Sequence, residues 1–214
     1  KRTESYPLIE GMVGIHASLT VGPETLDACI DVANRYDSGI HIHVAEHEVD
    51  QYDSLAKSGT RVVDRLDRFQ MLGPNSIVVH AVHVDAREIH LLAESGAWVT
   101  HQPRSNMNNG VGVPEVESML RAGVGVCLGT DGFTSTMWAE WKMAYLLHKA
   151  WHRDPQRMSG LDVTQMAIYN NARLAGGFFP EAPLGAIKPG AHADLIFVDY
   201  QDFTPLTADN LPWQ

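Results

Sequence analysis

Three short apolar runs in the sequence end at side chains that bind metal ions or transfer protons. They are residues 40–46, with His43 and Glu46, residues 76–80, which end in His80, and residues 125–131, which end in Asp131. Apolar runs of about four to eight residues between turn residues are typical of buried parallel strands. In a barrel of such strands the chemistry lies at the carboxyl ends. The sequence therefore predicts one site, formed by imidazole and carboxylate groups from three strand ends.

Two of these runs have a second histidine close by, and we place only one member of each pair in the site. His41 and His43 are two residues apart and therefore share one face of a strand. Because the run turns polar soon after His43, we interpret His43 as lying at the mouth and His41 as a packed residue one pleat deeper. His80 ends an apolar run, whereas His83 begins a loop, so we assign His80 to the site and His83 to its flank.

The two carboxylates also have structural alternatives. Glu46 stands in an acidic run, residues 46–53, for which a solvated loop is the default interpretation. Its fixed distance from His43 favours the site. Asp131 lies between a threonine and a glycine, where an aspartate can also be a plain turn residue. The local sequence leaves these alternatives open.

The overall composition limits the classes of function. The 214 residues carry a formal net charge of −10, which argues against a nucleic-acid groove because such a groove needs a basic face. No apolar run reaches the length that spans a membrane. The two cysteines, Cys29 and Cys127, are far apart in apolar settings, so we expect neither a disulfide scaffold nor a cysteine zinc site, and a cytoplasmic location fits. From the first and last residues we interpret the chain as part of a longer protein.

The elements that must position these residues alternate between strands and helices. Predicted strands cover residues 11–19, 40–45, 77–80, 97–101 and 124–128. Predicted helices begin at Pro23, with Gly39 as the stop, and cover 60–69, 85–95, 113–122, 138–151 and 162–175, while 102–112 is predicted as a polar loop. The alternation favours a parallel sheet covered by helices. Five such steps are too few for an eight-stranded barrel of about 250 residues, so the spacing leaves open either a doubly wound sheet or a barrel with three units upstream.

Several stretches stand in a characteristic order along the chain. They are Gly14-Ile-His16-Ala, His43-Val-Ala-Glu46, Val79-His80-Ala-Val-His83, His101-Gln-Pro-Arg-Ser-Asn-Met-Asn-Asn-Gly110, Leu128-Gly-Thr-Asp131-Gly and Leu184-Gly-Ala-Ile-Lys-Pro-Gly. In this order they resemble the motifs of the amidohydrolase superfamily, in its cytosine-deaminase-like, chlorohydrolase and guanine-deaminase branch. Within that branch the chain is most similar to the SsnA-type aminohydrolases.

The resemblance implies a fold and a missing segment. It implies an α/β chain that comprises strands 4–8 of a (β/α)8 TIM barrel with their helices in residues 1–180, and the start of a small β-sandwich in residues 181–214. The superfamily's first strand, whose His-x-His pair supplies two metal ligands, would precede Lys1. The expected partner is therefore the N-terminal segment of the same protein, and a homodimer is one expected assembly.

The resemblance also assigns roles at the metal. One divalent ion, zinc by preference with iron or manganese as options, is expected on the missing histidine pair together with His43 and Asp131. Glu46 is expected to transfer a proton to the substrate ring and the leaving group. His80 is expected to orient the attacking hydroxide or to polarise the attacked carbon, and Asp131 to accept the proton of the water.

The same resemblance indicates the reaction. His16, Arg104 and Asn106 are expected to contact a small heterocyclic substrate from which ammonia is released. No lysine occurs in residues 11–18, which argues against the binuclear hydrolases that carry a carboxylated lysine. The alternatives are a chlorohydrolase, a cyclic amidase, and a non-catalytic relative that acts as a binding module.

Overall fold

The computed structural model describes Tyr6, residues 9–181 and residues 183–210. Within these residues five parallel strands form one sheet, namely β1 (Val13–Ala17), β2 (Ile40–Val44), β3 (Ile77–His80), β4 (Trp98–His101) and β5 (Gly125–Leu128). Each strand pairs with the next one along the chain. A doubly wound sheet reverses its strand order at a switch point, and the described sheet has no such reversal. The order is that of a barrel segment.

Helices connect the strands and follow the last one. They are α1 (Pro23–Arg35), α2 (Glu48–Ser58), α3 (Val62–Arg68), α4 (Ala86–Ser95), α5 (Pro103–Asn109), α6 (Val116–Arg121), α7 (Met137–His152), α8 (Gly160–Thr164) and α9 (Asn171–Phe178). A π-helical turn, Gln165–Asn170, joins α8 to α9 in one helical stretch. Crossovers between parallel strands are right-handed, so a sheet without a reversal carries its connecting helices on one face. No helix among the described residues is long and apolar enough to cross a membrane.

The prediction was wrong at two stretches that form helices. The acidic run forms α2, which begins after His47, whose side chain accepts the N–H of Val49, and ends at the left-handed Gly59. The predicted polar loop contains α5, which begins with Pro103 and ends before the left-handed Gly110. Proline in the first turn of a helix and glycine just past its end are helix-boundary signals. The proline of α5 and the glycine after each of the two helices outweigh the polar composition of these stretches.

The two faces of the sheet have different surroundings. On β2, Ile40, Ile42 and Val44 are buried in the hydrophobic core, as are the central residues of the neighbouring strands. His41 and His43 alternate with them and therefore lie on the opposite face, where both are half-buried. The helices thus cover one face of the sheet, and the imidazole rings lie on the other.

One glycine and the C-terminal region differ from the expectations. Gly39 does not end α1, which stops at Arg35. A Cβ at residue 39 would instead lie 1.6 Å from the carbonyl oxygen of Asn75, so this position requires a close backbone approach. Residues 183–210 contain no strand in the structure. The start of a β-sandwich in residues 181–214 stays a prediction.

Candidate metal and catalytic site

Three strand ends bring Glu46, His80 and Asp131 together. Nε2 of His80 lies 3.6 Å from Oε2 of Glu46 and 3.8 Å from Oδ2 of Asp131. One nitrogen or oxygen atom from each residue lies within 4.8 Å of the other two. These residues come from the ends of β2, β3 and β5, which are separated by long stretches of sequence. The structure therefore brings together the three side chains that are predicted to be catalytic.

The backbone at these strand ends turns the side chains toward one another. In the register of β2 and β3, His80 stands beside Val44, whose side chain is in the buried core. Regular pleating would therefore direct His80 toward the helices. Instead, φ is +73° at His80, +50° at Ala45 and +52° at Asp131. A left-handed conformation costs such residues roughly 1–2 kcal/mol, and this kind of strain concentrates at functional sites.

A buried carboxylate holds the turn that carries Glu46. Asp50 of α2 is buried, and its Oδ2 accepts a 2.7 Å hydrogen bond from the N–H of Ala45. Burial raises the pKa of Asp50, and the hydrogen bond from Ala45 opposes that rise. The bond stabilises the left-handed Ala45 and so sets the direction in which Glu46 leaves the strand.

Helix α5 contacts all three side chains, each through a different residue. The contacts are Ser105 Oγ to Asp131 Oδ2 at 2.5 Å, Asn106 Oδ1 to His80 Nδ1 at 2.9 Å and Asn109 Nδ2 to Glu46 Oε1 at 3.0 Å. The helix lies directly after β4. A fourth strand end therefore contributes to the site through hydrogen bonds.

His80 presents an unshared electron pair to the two carboxylates. An amide oxygen only accepts, so Nδ1–H of His80 donates to Asn106 and Nε2 carries the lone pair. Burial lowers the pKa of His80, although Glu46, Asn106 and Asp131 raise it. A neutral imidazole nitrogen and two carboxylate oxygens thus face one space, at separations longer than a hydrogen bond. This donor set fits a divalent cation such as zinc, iron or manganese.

His43 lies beside this group with one ring nitrogen already engaged. Its Nδ1 is 2.5 Å from the carbonyl oxygen of His16, so Nδ1–H donates and Nε2 keeps the lone pair. Its ring stacks on that of His80, with the centroids 5.4 Å apart. A histidine that binds a metal commonly donates its other N–H to a backbone carbonyl. The role of His43 as a ligand stays a prediction that this geometry supports.

Two residues predicted to contact substrate have different surroundings. His16 is exposed at the end of β1, and its ring centroid lies 5.5 Å from that of His43. The guanidinium of Arg104 is engaged within the protein. Its Nε donates to the buried carboxylate of Glu140 at 2.5 Å, and its Nη2 donates to the carbonyl of Thr134 at 2.7 Å. The substrate contacts of His16 and Arg104 stay predictions.

The remaining residues considered from the sequence lie deeper or at the edge. Asn106, the third predicted substrate contact, is fully buried beside His80. His41 is half-buried one pleat below the mouth, and burial lowers its pKa. Nε2 of His83 lies 2.7 Å from the carbonyl oxygen of Val111, which places His83 at the flank.

Ser105, Asn109 and Asp50 also belong to the site, and the sequence predicts no individual role for them. The first two share one helix face with Asn106, because Asn109 lies four residues after Ser105 and three after Asn106, and residues three or four apart are neighbours on a helix. That spacing is a usable signal, but only once residues 103–109 are assigned to a helix. Asp50 lies in the acidic run that is predicted as a solvated loop.

A family comparison agrees with this geometry. The model of the Amidohydrolase family matches residues 4–212. The chain belongs to the amidohydrolase family. The resemblance that the motifs indicate is therefore confirmed over nearly the whole amidohydrolase chain.

Named relatives of this amidohydrolase include two kinds of nucleoside deaminase. The 5-methylthioadenosine/S-adenosylhomocysteine deaminase of Syntrophobacter fumaroxidans is 36% identical over 205 residues, which cover 94% of this chain and 46% of the relative. The 5'-deoxyadenosine deaminase of Methanopyrus kandleri is 38% identical over 196 residues, which cover 90% of this chain and 44% of the relative. The chain thus spans about half the length of the curated relatives it matches.

A solved structure shows the same fold. An adenosine deaminase from Xanthomonas campestris with bound zinc superposes with a TM-score of 0.80 at 31% identity, and the match covers 90% of this chain and 44% of that one. Together with the unreversed strand order, this likeness confirms the predicted α/β fold as part of an amidohydrolase (β/α)8 barrel. The doubly wound alternative is wrong.

Proposed function

We propose that this amidohydrolase chain carries the strand 4–8 half of the active site of a metal-dependent aminohydrolase, an enzyme that releases ammonia from a heterocycle. The observation that carries the proposal is the convergence of Glu46, His80 and Asp131 from three strand ends. Two carboxylates and a neutral imidazole are the groups that such a hydrolysis needs for metal binding and proton transfer. The named deaminases among the relatives support this reaction over the alternatives.

The metal would be held partly by this chain and partly by other residues. We assign Asp131 and His43 as its ligands here, because Nε2 of His43 keeps its lone pair and Asp131 faces His80 across 3.8 Å. The chain covers less than half of its relatives, so the proposed upstream segment has room for the two further histidines. Zinc is the proposed ion, supported by the imidazole and carboxylate donors and by the zinc in the Xanthomonas campestris structure.

The chain's own residues would transfer the protons of the reaction. When bound, the metal would supply an activated water, because it lowers the pKa of water to about 7. Oε2 of Glu46 and Oδ2 of Asp131 lie 3.6 and 3.8 Å from His80 Nε2, where they could accept the proton that this water loses. Glu46, with Oε1 held by Asn109, would pass a proton to the ring nitrogen and then to the departing amine. A positioned acid–base group contributes about 10²–10⁴-fold to the rate.

Adenine nucleosides are the proposed substrate class. The relatives named above are deaminases of 5-methylthioadenosine, S-adenosylhomocysteine and 5'-deoxyadenosine, all of which carry an amino group on an adenine ring. The exposed His16 at the mouth would contact the substrate, as would Arg104 and Asn106. The cytoplasmic location, the homodimer and the boundary between residues 1–180 and 181–214 stay predictions.

Ammonia release by the full-length protein tests this proposal. The zinc-loaded enzyme would be offered adenosine, 5'-deoxyadenosine and 5-methylthioadenosine, with guanine and cytosine as other amino heterocycles. Glu46→Gln should lower kcat by about 10²–10⁴-fold and keep the metal, whereas Glu24→Gln on the exposed face of α1 should match wild type.

Other outcomes of this assay would point to the alternatives. Chloride release from a chlorotriazine, or ring opening of a cyclic amide without ammonia, would replace the aminohydrolase with one of those two reactions. A metal-free protein that turns over none of the compounds would favour the binding module.

A further inference from the structure

Helix α5 has an arrangement that the chemistry assigned above does not explain. Three of its side chains reach three different members of the site, one to one, over distances of 2.5 to 3.0 Å. Ser105 and Asn106 are buried, although serine and asparagine are poor residues for a helix interior. A buried polar residue needs a partner. Here Ser105 Oγ and Asn106 Oδ1 have theirs among the site residues, while Nδ2 of Asn106 has no partner among the described residues.

The helix is also fixed to the rest of the barrel. Arg104, at its start, pairs with the buried Glu140 of α7, and the backbone N–H of Arg104 donates to the same carboxylate at 3.3 Å. Just past its end, the carbonyl oxygen of Val111 lies 2.7 Å from Nε2 of His83, in the loop after β3. The face that carries residues 105, 106 and 109 is therefore held at both ends.

We infer that α5 is the positioning element of the site, in which Asn106 fixes the Nδ1–H tautomer of His80 while Ser105 and Asn109 set the directions of the two carboxylates. This inference rests on the proposed function for its effect on turnover. Its structural content, the tautomer, does not depend on which reaction is catalysed.

The acceptor oxygen of Asn106 explains why this residue favours one tautomer of His80. Its Oδ1 can only accept, so the tautomer that carries hydrogen on Nε2 would place two acceptors 2.9 Å apart. With hydrogen on Nδ1, the lone pair of Nε2 faces Glu46 and Asp131. Partners of this kind beside a metal site typically change activity by about 10–100-fold when they are removed.

Two substitutions at residue 106 separate positioning from simple packing. Asn106→Asp keeps an acceptor facing Nδ1, whereas Asn106→Leu has a similar size and no acceptor. Asn34→Leu is the matched control, because Asn34 is exposed near the end of α1. All variants would be made in the full-length, zinc-loaded protein, and thermal unfolding would verify that each one folds.

The first readout is the tautomer itself. Long-range proton–nitrogen correlation spectra of histidine-labelled protein distinguish a protonated ring nitrogen from an unprotonated one. The signal of His80 is assigned by its absence in His80→Gln. We expect hydrogen on Nδ1 in wild type, Asn106→Asp and Asn34→Leu, and a mixed or reversed tautomer in Asn106→Leu. Hydrogen on Nε2 in wild type, or the same tautomer in Asn106→Leu, would overturn the inference.

The second readout is turnover. Asn106→Leu should lower kcat by about 10–100-fold, and Asn106→Asp should recover most of that loss. An equal kcat in Asn106→Leu and wild type would overturn the positioning role. If Asn106→Leu does not fold, Asn109→Ala keeps the test decisive, because Asn109 is exposed and its loss should lower kcat at unchanged KM. An inactive wild type with the expected tautomer would reject the proposed function and leave the arrangement of α5 intact.

Discussion

A buried histidine pair near the start of α5 should make the stability of the protein depend on pH. Nε2 of His148 in α7 lies 3.3 Å from Nε2 of His101 at the end of β4, and both rings are buried. Burial lowers the pKa of His148 to about 4, although the nearby carboxylate of Glu117 acts in the opposite direction. Burial likewise lowers the pKa of His101 well below its usual value. The folded protein therefore holds both rings neutral at neutral pH.

The size of the effect follows from the shift at His148. In the unfolded chain its pKa is 6.5, and in the folded protein it is about 4. Between these values the unfolded chain binds more protons, so the stabilisation is present above about pH 6.5 and is lost as the pH falls toward 4. A difference of roughly 2.5 pH units corresponds to about 3 kcal/mol of unfolding free energy.

Urea unfolding at pH 6.5 and pH 4 measures this loss. With an m value of about 2 kcal/mol per molar urea, the midpoint of wild type should fall by about 1.5 M more than that of His148→Gln. His90→Gln is the control, because His90 in α4 is exposed, and it should behave as wild type does. Equal pH dependence in wild type and His148→Gln would refute the reasoning, because the buried ring would then contribute nothing.

Three further predictions concern the frame of the site and its metal. Gly39→Ala should lower the unfolding free energy by at least about 1–3 kcal/mol, measured by urea unfolding, because its Cβ would lie 1.6 Å from the carbonyl oxygen of Asn75. Arg104→Gln should lower it by about 3–5 kcal/mol, because it leaves the buried Glu140 without its guanidinium, and KM in the same variant tests the predicted substrate contact. Chelation should abolish ammonia release, and added zinc should restore it.

The two substitutions have matched control variants, and two results would contradict the reasoning. Gly11→Ala, where the new Cβ meets no atom within 4 Å, should leave stability within about 0.5 kcal/mol. Arg35→Gln at the exposed end of α1 is the control for Arg104→Gln. Wild-type stability in Gly39→Ala would show that residues 39 and 75 do not approach closely. Full activity after complete metal removal would contradict the assigned chemistry.

The strands were the part of this fold most open to prediction from sequence. Each is a short apolar run between turn residues, and the helix after β3, Ala86–Ser95, lies within the predicted residues 85–95. The number of strands did not decide between a barrel segment and a doubly wound sheet, since both have the same local sequence pattern. Only the pairing of each strand with its successor decided between them.

The geometry of the site was less accessible from sequence. The pattern of β3 places His80 on the same face as Val78, and the left-handed φ of His80 reverses that direction. Helix α5 was not predicted, because serine and asparagine, here Ser105, Asn106 and Asn109, favour loops. Their stabilising partners come from β2, β3 and β5 and become visible only in the folded structure.

The zinc content of Asp131→Ala tests the central claim most directly, that the strand ends form one metal site. Purified full-length wild type should bind one zinc ion per chain. So should Asp27→Ala, a matched change on the exposed face of α1. Asp131→Ala, which removes the carboxylate that Ser105 and His80 face, should lose the ion while remaining folded. A full zinc complement in Asp131→Ala would contradict the assignment of Asp131 as a ligand, and with it this account of the site.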